Sequence, residues 1–85
     1  MNHTQEIRDF VVSNFLFGDE SALQDETPFL SAGIVDSTGI LELIMFLEQT
    51  YDISVDPDEM IPDNLDSVNK VTRFITRKLA GAAVA

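Results

Sequence analysis

Asp36-Ser37-Thr38-Gly39-Ile40-Leu41-Glu42-Leu43-Ile44-Met45-Phe46-Leu47-Glu48-Gln49-Thr50-Tyr51 is the stretch whose periodicity decides the fold of this chain. At about 100° per residue, Ile40, Leu43, Ile44, Leu47 and Tyr51 fall within one apolar arc. The spacing predicts an amphipathic helix over 37–51, with Asp36 as its N-cap. Thr38, Glu42, Met45 and Gln49 lie on the other side, with Phe46 at its edge. Apolar groups are therefore set among carboxylates on the solvent face. A flexible, polarizable Met45 there suits a surface that meets several partners. The pattern equally admits Met45 and Phe46 packing on a neighbouring segment.

Two further helices flank this one. Over residues 4–17, Ile7, Phe10, Val11 and Phe15 share one side, and Gly18 is placed to end the helix. A last helix is expected from near Ser67 to Leu79, burying Val68, Val71, Phe74, Ile75 and Leu79, with residues 80–85 as a frayed tail. Arg77 and Lys78 in its final turns suit the negative end of the helix dipole. Between the helices, residues 19–35 hold no sustained period. So long a loop in so small a domain hints at function. Leu23, Phe29, Leu30 and Ile34 are expected to pin it to the core. Asp52 to Asp66 is broken by Pro57 and Pro62; Ile53 and Val55 should turn inward, with a short helical turn near Asn64 and Leu65. No segment alternates apolar and polar residues over strand length. The fold class is all-α: one domain over 1–85, a bundle of three main helices plus one short helix, with a long loop between the first two.

Composition narrows the chemistry. The chain has 85 residues and no cysteine, which removes disulfides, thiolate metal sites and cysteine nucleophiles. Its single histidine, His3, lies near the start, so a buried serine–histidine pair or a multi-histidine site is not expected. No signal peptide or apolar segment of spanning length is present, and a soluble, cytoplasmic, monomeric protein is expected. The formal charge is −10, unevenly spread. Residues 1–66 hold all fifteen acidic residues and only Arg8 as a base, for −14; residues 67–85 hold four bases and no acid. Such a surface repels nucleic-acid phosphates and anionic lipids and is steered toward basic protein surfaces.

Gly33-Ile34-Val35-Asp36-Ser37-Thr38-Gly39 places a serine hydroxyl on the first turn of a helix, just after an aspartate cap. Backbone N–H groups there lack intrahelical partners and the positive end of the dipole is close. A phosphate joined to that serine would be favourably placed. Nothing in the neighbouring sequence activates the hydroxyl, so Ser37 reads as a modification acceptor rather than a catalytic nucleophile. A serine hydrolase elbow needs glycine where Val35 stands. Asp52, Ser54, Asp56 and Asp58 alternate like a calcium loop, but Pro57 occupies the position that demands glycine.

The same stretch resembles the attachment motif of acyl carrier proteins, in which Asp-Ser-Leu opens the second helix. The resemblance covers nearly the whole chain, including Leu43-Ile44-Met45-Phe46-Leu47-Glu48 and the Asn64-Leu65-Asp66-Ser67-Val68 approach to the last helix. It implies a non-catalytic carrier with 4′-phosphopantetheine covalently attached to Ser37, next to Asp36. It also implies that Thr38, Leu41, Glu42, Met45 and Glu48 meet partner enzymes. The implied partners are a phosphopantetheinyl transferase and acyl or aminoacyl ligases or synthases with basic docking patches. Thr38 stands where the family commonly has leucine, Gly39 where an acid is common, and Gln49 interrupts the usual acidic run. Those departures point to a specialised, stand-alone carrier rather than a housekeeping one. The competing expectation is an acidic helical adaptor without a prosthetic group, which accounts for the charge but not for the Asp36–Ser37 junction.

Overall fold

The computed structural model describes residues 3–84, apart from the side chains of Ala22 and of residues 81–84. Four helices follow in order: α1 (His3–Phe15), α2 (Ser37–Tyr51), the short α3 (Pro62–Leu65) and α4 (Val68–Val84). Single 3-10 turns occur at Glu20–Ala22 and Pro57–Glu59, and no strand occurs among the described residues. None of these helices is long and apolar enough to cross a membrane.

The three long helices turn their expected stripes to the core, but Phe10, Phe15, Ile40, Tyr51 and Leu79 are only partly buried at its edge, and Val12, not expected there, is inside. Ile7, Val11 and Val12 of α1 meet Leu43, Ile44 and Leu47 of α2 and Val68, Val71, Phe74 and Ile75 of α4. The connections add Leu23, Phe29, Val35, Val55 and Leu65. Two contacts fix α1 antiparallel to α2. Phe15 lies against Gly39 at one end, and the Tyr51 hydroxyl donates to Glu6 Oε1 (2.9 Å) at the other. Burial, then the bond to Glu6 and its charge, holds the Tyr51 phenol well above its ordinary range.

Helix α1 stops at Phe15, two residues short of the expected end. Phe17 (φ 54°) and Gly18 (φ 86°) both take left-handed backbone, and the Leu16 and Gly18 amides donate to the Val12 carbonyl (3.2 and 3.0 Å). The turn therefore opens before the glycine, which closes it.

Besides the bonds from Asn69 to the Asp25 carbonyl and to Glu26, three fastenings of the long loop bear on the site. Leu23 and Phe29 are fully buried, and Ile34 packs against the core from its edge. Leu30 is a correction: it is exposed rather than pinned inside. Successive amides explain this, since Phe29 N–H donates to the Asp66 carbonyl (2.9 Å) and Leu30 N–H to Asp66 Oδ1 (3.0 Å). With Phe29 turned inward, its neighbour's side chain faces solvent. The third fastening is Arg8, whose guanidinium donates to Asp25 Oδ1 (3.0 Å), to the Leu23 carbonyl and to the Glu20 carbonyl (3.4 Å). The one base among residues 1–66 is thus spent within the molecule.

Helix α4 is the second correction. It continues past the expected end at Leu79 to Val84, through an alanine-rich stretch, alanine having the strongest intrinsic preference for helix. Ala85 lies outside the described residues. No base falls in the last turn, so Arg77 and Lys78 do not complement the helix dipole. Lys78 instead pairs with Glu59 (2.9 Å) and Arg77 donates to Asn64 Oδ1 (2.8 Å).

Candidate functional site

The site is built where the long loop delivers the chain to α2. Phe29 organises the approach. Its carbonyl accepts from the amides of Ile34 (2.9 Å) and Val35 (3.2 Å), while Ala32 N–H returns to Pro28 O and Gly33 N–H to Leu30 O. Gly33 takes a positive φ (72°) in this run of turns, a conformation glycine adopts without a side-chain clash. Val35 is then buried and Asp36 takes extended backbone (φ −97°, ψ −175°). Its carboxylate accepts from Gly39 N–H (2.7 Å) and its carbonyl accepts the first intrahelical bond, from Ile40 (2.9 Å). Asp36 is the N-cap that the sequence predicts.

Ser37 follows as the first residue of the helix and is exposed. Asp36 is aimed at Gly39, and no hydrogen bond engages the Ser37 hydroxyl among the described residues. The amides of Ser37 and Thr38 lie in the first turn, where intrahelical acceptors are lacking. His3 packs against Tyr51 (ring centroids 5.1 Å) at the far end of α2. Fourteen residues of helix separate that end from Ser37, about 21 Å at 1.5 Å per residue. Ser37 is thus an accessible hydroxyl that the single histidine does not approach. Beside it runs an open groove of about 330 Å³, lined by Asn14, Phe15, Gly33, Ile34, Asp36, Thr38, Gly39 and Glu42.

The residues expected to meet partners divide into two groups. Thr38, Leu41, Glu42 and Met45 are exposed on one face of α2 that also holds Ser37; Leu41 and Met45 each keep 56% of their surface open. Glu48 is half-buried at the edge of that face, and its Oε2 accepts from Val55 N–H (3.0 Å). Phe46 packs internally, stacked on Phe10 (centroids 4.2 Å). The sequence pattern missed what Gly39 does. It is buried, and a Cβ built there would lie 2.8 Å from both Phe15 Cε1 and Val35 Cγ1. Its lack of a side chain lets the end of α1 close over the start of α2. Only the absent acid at this position hinted at it.

The core side chains beneath α2 are packed closed among the described residues. Leu43 and Leu47 are fully buried, Phe74 and Ile44 nearly so. The apolar groove between Leu30, Ile40, Met60, Ile61 and Leu65 measures about 70 Å³.

Comparison with known proteins agrees with this geometry. Residues 11–75 match the family model described as "Phosphopantetheine attachment site". A probable acyl carrier protein, PigG of a Serratia species, is 31% identical over 79% of this chain and 77% of its own length. The D-alanyl carrier protein of Streptococcus mutans is 36% identical over 78% of this chain and 82% of its own. The solution structure of a holo acyl carrier protein from Nitrosomonas europaea superposes with a TM-score of 0.76 at 25% identity, covering 94% of this chain and 99% of that one. The chain belongs to the phosphopantetheine-attachment family of carrier proteins. It is a carrier whose prosthetic group is covalently held 4′-phosphopantetheine, and the adaptor reading gives way to this one. Carriers of this kind are generally non-catalytic and work with transferases and with ligases or synthases.

Proposed function

We propose that Ser37 is the residue that receives the 4′-phosphopantetheine, and that residues 1–85 act as one non-catalytic, cytoplasmic and monomeric carrier domain. The observation that carries this is the exposed, unengaged Ser37 hydroxyl on the first turn of α2, beside an Asp36 whose carboxylate is occupied by Gly39 N–H. When bound, the group supplies a terminal thiol that holds an acyl or aminoacyl cargo as a thioester. The protein's share is to place and present it. First-turn amides favour the linking phosphate; the Ser37 oxygen, losing its proton to a base of the transferase, bonds to the pantetheine-side phosphorus of coenzyme A as the pyrophosphate bond breaks and adenosine 3′,5′-bisphosphate leaves. Tethering then raises the effective concentration of the cargo at each enzyme visited.

Thr38, Leu41, Glu42 and Met45, with Glu48 at the margin, form the face on which we place docking to basic patches of the transferase and of the ligases or synthases. Charge complementarity of this kind favours fast encounter over tight binding, and nucleic acid and anionic membranes are repelled. The closed core supports a cargo carried outside the bundle. Relatives named as acyl and as D-alanyl carriers leave both cargo classes in play.

The test is intact-protein mass after incubation with coenzyme A, magnesium and a promiscuous phosphopantetheinyl transferase. One phosphopantetheinyl group is expected on the wild type and none on Ser37→Ala. An unmodified, folded wild type, with a known carrier modified in parallel, would sink the assignment.

A further inference from the structure

The five bases of the chain divide cleanly. Arg8 and Lys78 each hold a carboxylate, those of Asp25 and Glu59. Neither the Lys70 ammonium nor the Arg73 guanidinium is engaged by a hydrogen bond or ion pair among the described residues, and Arg77 donates to the neutral Asn64 amide oxygen while its charge also acts on Glu59 without forming an ion pair. Lys70, Arg73 and Arg77 are spaced i, i+3, i+7, so they fall within about 60° of one another on α4. That arc lies on the side away from Val68, Val71 and Ile75, with the buried Phe74 next to its Lys70 edge. The three line one open groove of about 340 Å³, together with Thr72, Thr76 and a single acid, Asp63. The outward face of α2 is the converse: it carries Glu42 and no base. Both faces turn away from the core that α2 and α4 share, each on its own helix. No dipole complementation accounts for the basic face, because the helix runs on beyond it.

We propose that the Lys70–Arg73–Arg77 face of α4 orients the carrier during encounter: repelled by a basic docking patch, it turns away, so that the molecule meets its partner with the Ser37 face first. This rests on the docking face assigned above. A uniformly acidic protein would be drawn to a basic enzyme by any side, and most collisions would be unproductive. Charge of opposite sign on a second face makes wrong approaches unfavourable and shortens the search.

The two accounts of the charge give opposite signs in one experiment. K70Q/R73Q/R77Q takes the formal charge from −10 to −13, so attraction by net charge alone makes phosphopantetheinyl transfer faster. Orientation makes it slower. We expect kcat/KM for transfer from coenzyme A, with a transferase bearing a basic docking patch, to fall about two- to fivefold at low ionic strength. kcat should be unchanged, and the difference should vanish near 1 M salt, where the screening length is about 3 Å. K70Q/R73Q, which keeps the Arg77–Asn64 bond, should show the same sign with an unaltered melting temperature. A variant as fast as the wild type or faster overturns orientation while leaving docking through α2 intact. A wild-type rate indifferent to salt overturns the docking face itself, and is read before either variant is made.

Discussion

The ring edge of Phe15 sits where a side chain on Gly39 would have to go, with 2.8 Å from Phe15 Cε1 to the position of the missing Cβ. Alanine at that position gains helix preference of up to about 1 kcal/mol, but it must displace both Phe15 and Val35. We expect Gly39→Ala to destabilise the protein by about 1–2 kcal/mol in urea unfolding, the overpacking outweighing the propensity. A variant as stable as the wild type would show that α1 withdraws without loss.

Removal of the cap should be felt at the attachment residue. Asp36→Ala leaves the Gly39 amide unanswered and is expected to lower stability by about 1 kcal/mol, whereas Asp36→Asn keeps an acceptor and most of that stability. Thermal melts of the pair, with amide exchange at the start of α2, check this. Equal losses in both would mean that the charge rather than the hydrogen bond matters.

Glu48 joins two roles that substitutions can separate. Glu48→Gln retains an oxygen for Val55 N–H and should leave stability within about 0.5 kcal/mol, while any contribution to basic partners disappears. Glu48→Ala strands a buried-side amide and should lose about 1 kcal/mol or more. A slower transferase reaction in the Gln variant at unchanged melting temperature assigns the residue to docking; an unchanged rate confines it to the fold.

Acid should loosen the segment between α2 and α4. The hydrogen bond from Lys78, then the Asp56 amide, holds Glu59 below the usual carboxylate range. A folded value lower than the unfolded one means the unfolded chain binds the proton first. The contribution is complete above the unfolded value of about 4.3 and is lost as pH falls through the depressed folded one. Stability against pH below about 4.5 should be shallower in Glu59→Gln than in the wild type. Parallel curves would show that the ion pair adds nothing net.

Much of the fold is legible in the sequence because burial in a helix is periodic. Ile40, Leu43, Ile44 and Leu47 announce one face of α2, and Asp36–Ser37 announces where it starts. Loop residues carry no such period, so Phe29 and Leu30 read alike although one is buried and the other is not. Arg77 and Lys78 mislead for a related reason. Their relation to the helix end depends on whether five further residues stay helical, and alanine carried the helix on. Gly39 is illegible because its meaning lies in Phe15, which is distant in sequence and belongs to another helix. Of the candidate site, Ser37, Asp36 and the exposed partners on α2 are readable locally; the internal bond of Glu48 is not.

Phe29 holds the approach to Ser37 through its own backbone and its buried ring, and Leu30, Ser31 and Ala32 between them stand exposed. Those three side chains are therefore free to drift over generations without moving the serine. A lineage, or an engineer, can redraw the outline that a partner reads beside the arm while the arm's anchor stays where it is.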